Sequence, residues 1–344
     1  MQIMKKPMIQ ADLLVILGTG GTIAGRSLNA LDNIGYTAAQ VGVDSLADSV
    51  PCLSDGGRVL TEQIAQINSK DMGFGVWRAL AQRVSHFLAQ GDVQGVVITH
   101  GTDTLEETAF FLEQVCRPVK PVVLTCAMRP ATALLADGPQ NLRDAACTAR
   151  WPGAGGAVVV CAGRVHAARS VQKIHPYRLD AFDSGDAGVI AYVEEGRLRL
   201  ERNWPFSEKG RALADPETIA TAVTPDCLPD EAHWPQVEIV MSYAGANGRV
   251  VNGLVALGVR GLVVAGTGNG SLHADLERAL LAAQDAGVRI VRASRCAQGR
   301  VLVKPGDRLA DAEGLTPVKA RIALMLDLMR EDLSRPGGTD VFSA

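Results

Sequence analysis

Two short segments concentrate the side chains able to do chemistry. Gly18-Thr-Gly-Gly-Thr-Ile-Ala-Gly25 and Thr99-His-Gly-Thr-Asp-Thr-Leu-Glu-Glu107 are both rich in glycine and threonine, and each follows an aliphatic run. Glycine lets a backbone turn tightly or approach a ligand closely. Threonine hydroxyls are weak nucleophiles that need a neighbour to activate them. A dinucleotide-binding loop is one reading of the first segment. However, a G-x-G-x-x-G beginning at Gly18 meets Ile23 where its last glycine is required, and no Walker-type Gly-Lys-Ser/Thr occurs. Plain tight turns explain these glycines about as well. In the second segment, Asp103-x-x-Glu106 and Thr104-x-x-Glu107 both have capping-box spacing before an apolar helix. The sharper alternative is a ligand site. Gly101 would let the chain come close, the helix N-terminus favours a carboxylate, and Thr102 and Asp103 offer a hydroxyl and a charged acceptor side by side. An acid at an anion-binding helix end is useful only to a ligand that also carries a cation, as an amino acid does.

Such loops need elements to present them. Residues 13–17, 59–67, 95–99, 121–125 and 156–161 read as strands. Residues 76–89, 105–115 and 141–150 read as helices, the first with Val76, Leu80, Val84 and Leu88 at helical spacing. Continuous apolar strands separated by helices predict a parallel sheet covered on both faces, whose ligands sit at the carboxyl ends of the strands. Between Trp204 and Trp234 the pattern fails, and prolines stand at 205, 216, 225 and 229, which reads as a linker. Beyond it, 237–241, 261–265 and 289–292 read as strands, and 252–259, 272–286 and Pro317–Leu333 as helices. The expected architecture is α/β. It comprises a larger N-terminal domain (1–203) with a mostly parallel sheet covered by helices, a linker (204–234) and a smaller C-terminal α/β domain (235–344).

Composition narrows the function classes. Of 344 residues, 47% are hydrophobic and 21% charged, enough apolar surface to exclude a disordered chain. The net charge of −3 argues against a dedicated nucleic-acid binder, which needs a basic excess. No apolar run approaches the roughly 20 residues of a membrane span, and the first ten residues lack the apolar stretch of a signal peptide. The seven cysteines are scattered and form no C-x-x-C. Neither a zinc site nor a disulfide framework is indicated. Reduced, mostly buried thiols and a cytoplasmic location are the expectation.

Taken together, residues 16–25 and 97–112 resemble the two signature segments of the bacterial-type L-asparaginase/glutaminase family, closer to its type II pattern. The likeness continues along nearly the whole chain. Gly35-Tyr-Thr37 and Val41-Gly-Val-Asp44 resemble the family's mobile active-site loop and the segment after it. Asn68-Ser-Lys-Asp-Met72 resembles its substrate loop. Ala127-Met-Arg-Pro130 and Ala136-Asp-Gly-Pro-Gln-Asn-Leu142 resemble its next strand-end loops, and Gly266-Thr-Gly-Asn-Gly270 its C-terminal glycine loop.

The resemblance implies hydrolysis of L-asparagine to L-aspartate and ammonia through an acyl-threonine intermediate. Thr22 stands in the nucleophile's place, with Tyr36 as its activator. Thr102, Asp103 and Lys173 form a second constellation in which the lysine passes a proton through Thr102. Which threonine attacks first is left open. Asp103 would pair with the substrate α-ammonium, and Ser69 and the Gly101–Thr102 backbone would hold the α-carboxylate. The backbone around Ala127 would meet the leaving amide, and Thr102 with a nearby N–H would form an oxyanion hole. Asn269 and Ser271 would complete the site of a neighbouring subunit, which implies a homo-oligomer, a tetramer of two tight dimers. No metal or organic cofactor is implied. Residues 26–37, which carry Tyr36, are expected to be a lid, mobile without ligand. Three departures from the family pattern stand out: Lys70 where Gln or Glu is common, Ser271 where Asn is common, and no evident acidic partner for Tyr36 unless Asp307 or Asp311 serves. A dual glutaminase–asparaginase, a subunit of a tRNA-dependent amidotransferase, a non-catalytic amino-acid-binding protein and a nucleotide-dependent dehydrogenase are the competing readings.

Overall fold

Every residue of β1 (Leu13–Gly20) is buried, which only a strand covered on both faces allows. Its side chains divide by parity. Leu13, Val15 and Leu17 point into one core with helices α2 (Phe74–Leu88) and α3 (Leu105–Cys116). Leu14 and Ile16 point into another with α1 (Val43–Asp48) and α4 (Gly138–Ala149). The computed structural model describes residues 12–204 and 223–335.

Around β1 run β2 (Arg58–Ile67), β3 (Val93–Thr99), β4 (Val122–Thr125) and β5 (Ala157–Cys161), all parallel. The sheet then turns antiparallel through β6 (Arg164–Ala167), β9 (Ala191–Glu194) and β10 (Arg197–Leu200). The eight-stranded order is β10-β9-β6-β5-β4-β3-β1-β2. A two-stranded ribbon, β7 (Gln172–Lys173) with β8 (Phe182–Asp183), lies outside it. The antiparallel edge was not legible as such, because its strands are short and mostly polar on one face.

The smaller sheet, β11 (Val237–Met241), β12 (Gly261–Gly266), β13 (Arg289–Ser294) and β14 (Ala310–Asp311), is parallel throughout. Helices α5 (Arg249–Ala256) and α6 (Ala274–Asp285) cover one face. Helix α7 (Pro317–Leu333) covers the other and packs on α3 of the larger sheet, so one core runs through both units. Of the expected linker, residues 205–222 lie outside the described residues. Residues 223–234 contribute side chains to the core: Val223, Leu228 and Trp234 are buried, and the Trp234 ring stacks on Phe74 at 4.3 Å. The expected burial of the thiols is corrected in part. Only Cys126 and Cys161 are buried, while Cys52 and Cys296 are exposed. No described helix is long and apolar enough to cross a membrane.

Candidate active site

The parallel strands deliver their loops to one edge. Thr22 follows β1, Ser69 follows β2, the 100–103 segment follows β3 and Ala127 follows β4, all at carboxyl ends, where open α/β sheets hold ligands. The loops meet closely. A Cβ on Gly21 would fall 2.2 Å from Cα of Gly101, and one on Gly101 would fall 2.4 Å from Oγ of Ser69. Gly21 is therefore required by the approach of the 100–101 backbone and Gly101 chiefly by the Ser69 side chain, beyond any need of a turn. Gly21 also has φ +80°, a region costly for a residue with a Cβ.

Two hydrogen-bonded constellations result. In the first, Oγ1 of Thr22 lies 2.6 Å from the Tyr36 hydroxyl. Gly25 makes room for the Tyr36 ring, since a Cβ there would lie 2.7 Å from Cδ2. The loop carrying Tyr36 is closed by an Arg26–Thr37 bridge and by Asp32, whose carboxylate accepts the N–H groups of Ile34 and Gly35. Those two bonds lower the Asp32 pKa. A second loop braces the first: Ser27 N–H donates to Thr132 at 2.8 Å, and Leu134 N–H to the Ala30 carbonyl at 2.9 Å.

In the second constellation, Lys173 Nζ donates to Thr102 Oγ1 at 2.8 Å and to Asp103 Oδ1 at 2.7 Å. Thr22, Thr102 and Ser69 are buried, whereas the Asp103 side chain remains half exposed. Ser69 knits the 68–72 loop to this segment. Its Oγ accepts the Asp103 N–H at 3.1 Å and its carbonyl accepts the Thr104 hydroxyl at 2.7 Å. Ala127 is fully buried. Its loop is clamped by Asp137, which accepts the N–H groups of Met128 and Arg129 at 3.0 Å, and by Asn141, which donates to the Cys126 carbonyl. Burial raises the Asp137 pKa and those backbone bonds oppose it.

The residues at the smaller sheet stand apart. Asn269 spends its amide on Leu302, donating to the carbonyl and accepting the N–H, and Ser271 forms a bridge with Thr267. Among the described residues, no hydrogen bond joins either to Thr22, Ser69, Thr102, Asp103 or Lys173. Lys70 points to solvent and pairs with Asp71. Asp307 is committed to Arg292 and to the Lys304 N–H, and Asp311 to the N–H of Glu313, so neither reaches Tyr36 within the chain. No group of three or more His, Cys, Asp or Glu among the described residues could hold a metal ion.

Sequence reasoning missed a buried polar layer behind the site. Lys319 on α7 is fully buried and donates to the carbonyls of Arg169 (3.1 Å) and Val171, just before Lys173. Glu106 and Glu113 on α3 face it. Burial raises both carboxyls, Glu113 to about 7, with Lys319 opposing the rise, and burial lowers the Lys319 ammonium. His100 was passed over as well. Burial holds its imidazole down to about 4, with the Gly101 carbonyl acting against that drop. Its signal was present, a histidine between an aliphatic strand and the threonine loop, but nothing in the spacing revealed its partners.

Comparison with known proteins places the chain. The family model described as Asparaginase, N-terminal matches residues 13–206, and the one described as Glutaminase/Asparaginase C-terminal domain matches 236–335. The chain is 37% identical over 322 residues to L-asparaginase 2 of Bacillus subtilis (strain 168), covering 92% of this chain and 82% of that protein. It is 36% identical over 335 residues to the glutaminase-asparaginase of Pseudomonas fluorescens biotype A, covering 94% and 88%. The crystal structure of a probable cytoplasmic L-asparaginase from Campylobacter jejuni aligns with a TM-score of 0.83 at 36% identity, covering 96% of this chain and 98% of that one.

Proposed function

Because the chain belongs to the asparaginase family, we propose that it hydrolyses the side-chain amide of L-asparagine to L-aspartate and ammonia. The observation that carries this reading is the convergence of the Thr22–Tyr36 and Thr102–Lys173–Asp103 constellations at the carboxyl edge of one parallel sheet. Thr22 attacks the amide carbon while the Tyr36 hydroxyl, at hydrogen-bond distance, relays the proton, accepting the Thr22 hydrogen as it passes its own to solvent. Lys173 donates to Thr102 Oγ1, leaving the Thr102 hydroxyl hydrogen free to point away from it. Thr102 can then hand a proton to the leaving amine and help activate the water that cleaves the acyl-threonine. Asp103, half exposed, takes the α-ammonium, and Ser69 with the Gly101–Thr102 backbone takes the α-carboxylate. The backbone near Ala127 meets the leaving amide.

Hydrolysis of L-glutamine by the same site is the second reading, supported by the relative named glutaminase-asparaginase. One methylene in a pocket is worth only about 1–3 kcal/mol. Asn269 and Ser271, engaged only within the smaller sheet unit, are proposed to complete the site of a partner subunit in a homotetramer. A cytoplasmic location is proposed with it, supported by the name of the Campylobacter jejuni protein. Ammonia release measured side by side with L-Asn and L-Gln tests the activity; no release from either overturns it. Mass spectrometry of acid-quenched turnover tests the nucleophile: a +115 Da aspartyl adduct is expected on the peptide bearing Thr22, and an adduct on Thr102 reverses the assignment of the first attack.

A further inference from the structure

β3 ends where His100 N–H donates to the Thr125 carbonyl at 2.9 Å. The chain then leaves the sheet through Gly101, and a glycine hinge leaves the next peptide plane free to rotate. His100 removes that freedom. Its Nδ1 lies 2.7 Å from the Gly101 carbonyl oxygen. A carbonyl only accepts, so Nδ1 carries the hydrogen and Nε2 of the neutral ring is an acceptor. Nε2 is 2.9 Å from the Thr108 hydroxyl, which must therefore donate to it. The Thr108 oxygen in turn accepts the indole N–H of Trp77 at 2.9 Å. An indole only donates, so the chain Trp77→Thr108→His100→Gly101 has one polarity throughout. Its anchor is rigid: Trp77 stacks on Phe111 at 4.8 Å with planes 11° apart.

In a trans peptide the C=O and N–H point in opposite directions, and no cis bond occurs among the described residues. A Gly101 carbonyl held toward buried His100 sends the Thr102 N–H the other way, away from the His100 ring. Among the described residues nothing accepts that N–H, although Thr102 is buried. We propose that His100 is a positioning residue that aims the Thr102 N–H at the substrate, making it a fixed donor to the oxygen that gains charge when the amide is attacked. This inference rests on the reading that the reacting carbonyl lies between Thr22 and Thr102. A preorganised donor of this kind acts in the transition state more than in the ground state, so its loss appears in kcat.

The isosteric pair His100→Asn and His100→Leu tests it. The asparagine side-chain nitrogen occupies the position of Nδ1, whereas leucine fills the same volume with no donor. Both lose the contact to Thr108, and H100L alone also leaves the Gly101 carbonyl unpaired, so both melting temperatures should fall, that of H100L further. Expected is a kcat for H100L lower by roughly 100-fold, the usual cost of one oxyanion donor, with KM for L-Asn within about threefold of wild type. H100N should recover most of that loss. Equal kcat values for the two variants overturn the proposal, as does a loss confined to KM. Should H100L fail to fold, His100→Gln carries the test. Its amide reaches the Nε2 position and keeps Thr108, but offers nothing to Gly101, so it must show the same kcat loss. Thr102→Val separates this inference from the reading beneath it. Turnover retained in T102V means the reading itself is wrong; turnover abolished in T102V with H100L and H100N matched means only that His100 has no such role.

Discussion

At the residue scale, hydroxyls and carboxyls take their character from what surrounds them. Thr22 and Thr102 are chemically ordinary threonines, made distinctive by a phenol at 2.6 Å and an ammonium at 2.8 Å. Thr22→Ala and Thr102→Val should each remove almost all turnover while melting close to wild type, since groups that act as a unit fail together. Retention of more than about a tenth of kcat, a cost of only ~1.4 kcal/mol, would place that residue outside the reaction. Glu113 makes the corresponding case for stability. Burial raises its pKa from 4.5 to about 7, so between those values the folded chain holds a proton that the unfolded chain has released. Stability from this group is fully present below about pH 4.5 and is lost as pH rises through about 7. Glu113→Gln should therefore melt several degrees above wild type at pH 8 and much closer to it at pH 5. A difference that is the same at both pH values would show that the carboxyl does not titrate in this window.

At the scale of elements, the decisive event is the contact of two strand ends. The sequence carries Gly20 at the end of β1, Gly21 just after it and Gly101 after β3, and their types suit a tight turn as well as a close approach. The positions show the approach: the two loops touch backbone to backbone, with Ser69 closing the third side. Gly21→Ala places a Cβ against backbone atoms that have no rotamer to change, at a φ of +80°. It should reduce kcat/KM by at least 100-fold and lower the melting temperature, consistent with misplacement of about 1 Å at a reacting group. A fully active, stable Gly21→Ala enzyme would mean that the loops are not held at this separation. The 26–37 loop belongs to the same scale. Its ties are mostly short-range turns and a few bonds to residues 131–134, the kind of structure from which lids are drawn. Its amides should exchange fast in the free enzyme and slow on addition of L-aspartate; protection unchanged by ligand would argue for a static loop.

At the scale of the whole molecule, the larger unit carries both threonine constellations and the smaller unit supports them. Helix α7 reaches across to hold the Arg169–Val171 backbone through Lys319, while Asn269 and Ser271 face no reacting group of their own chain. Several large apolar side chains are also left in solvent, with Leu28, Leu31, Leu134 and Leu135 on two loops bonded to one another. Apolar surface concentrated in this way marks contact sites. Light scattering should return a mass four times that of the 36.3 kDa chain. A fully active monomer would sink the shared site. In the oligomer, Ser271→Ala should raise KM for L-Asn more than it lowers kcat, because it would touch the α-amino end of the substrate and not the scissile amide.

Local chemistry made much of this protein readable from its residues alone. Aliphatic runs such as 13–17 and 95–99, each ended by a glycine-threonine turn, read as strands buried on both faces, and helical periodicity placed α2, α3 and α7 to within a few residues. The two threonine loops marked where the chain turns at the carboxyl edge of the sheet. The antiparallel edge, the burial of Trp234 in what reads as linker, the polarity of the Trp77–Thr108–His100–Gly101 chain and the Lys319–Glu113 layer were decided only by tertiary structure. Each joins residues whose partners lie many positions away, and hydrogen-bond direction, burial and charge pairing depend on distances in space that no period or motif records. The glycines show the boundary most plainly. Their type permits a close approach, but only the folded chain determines what comes close.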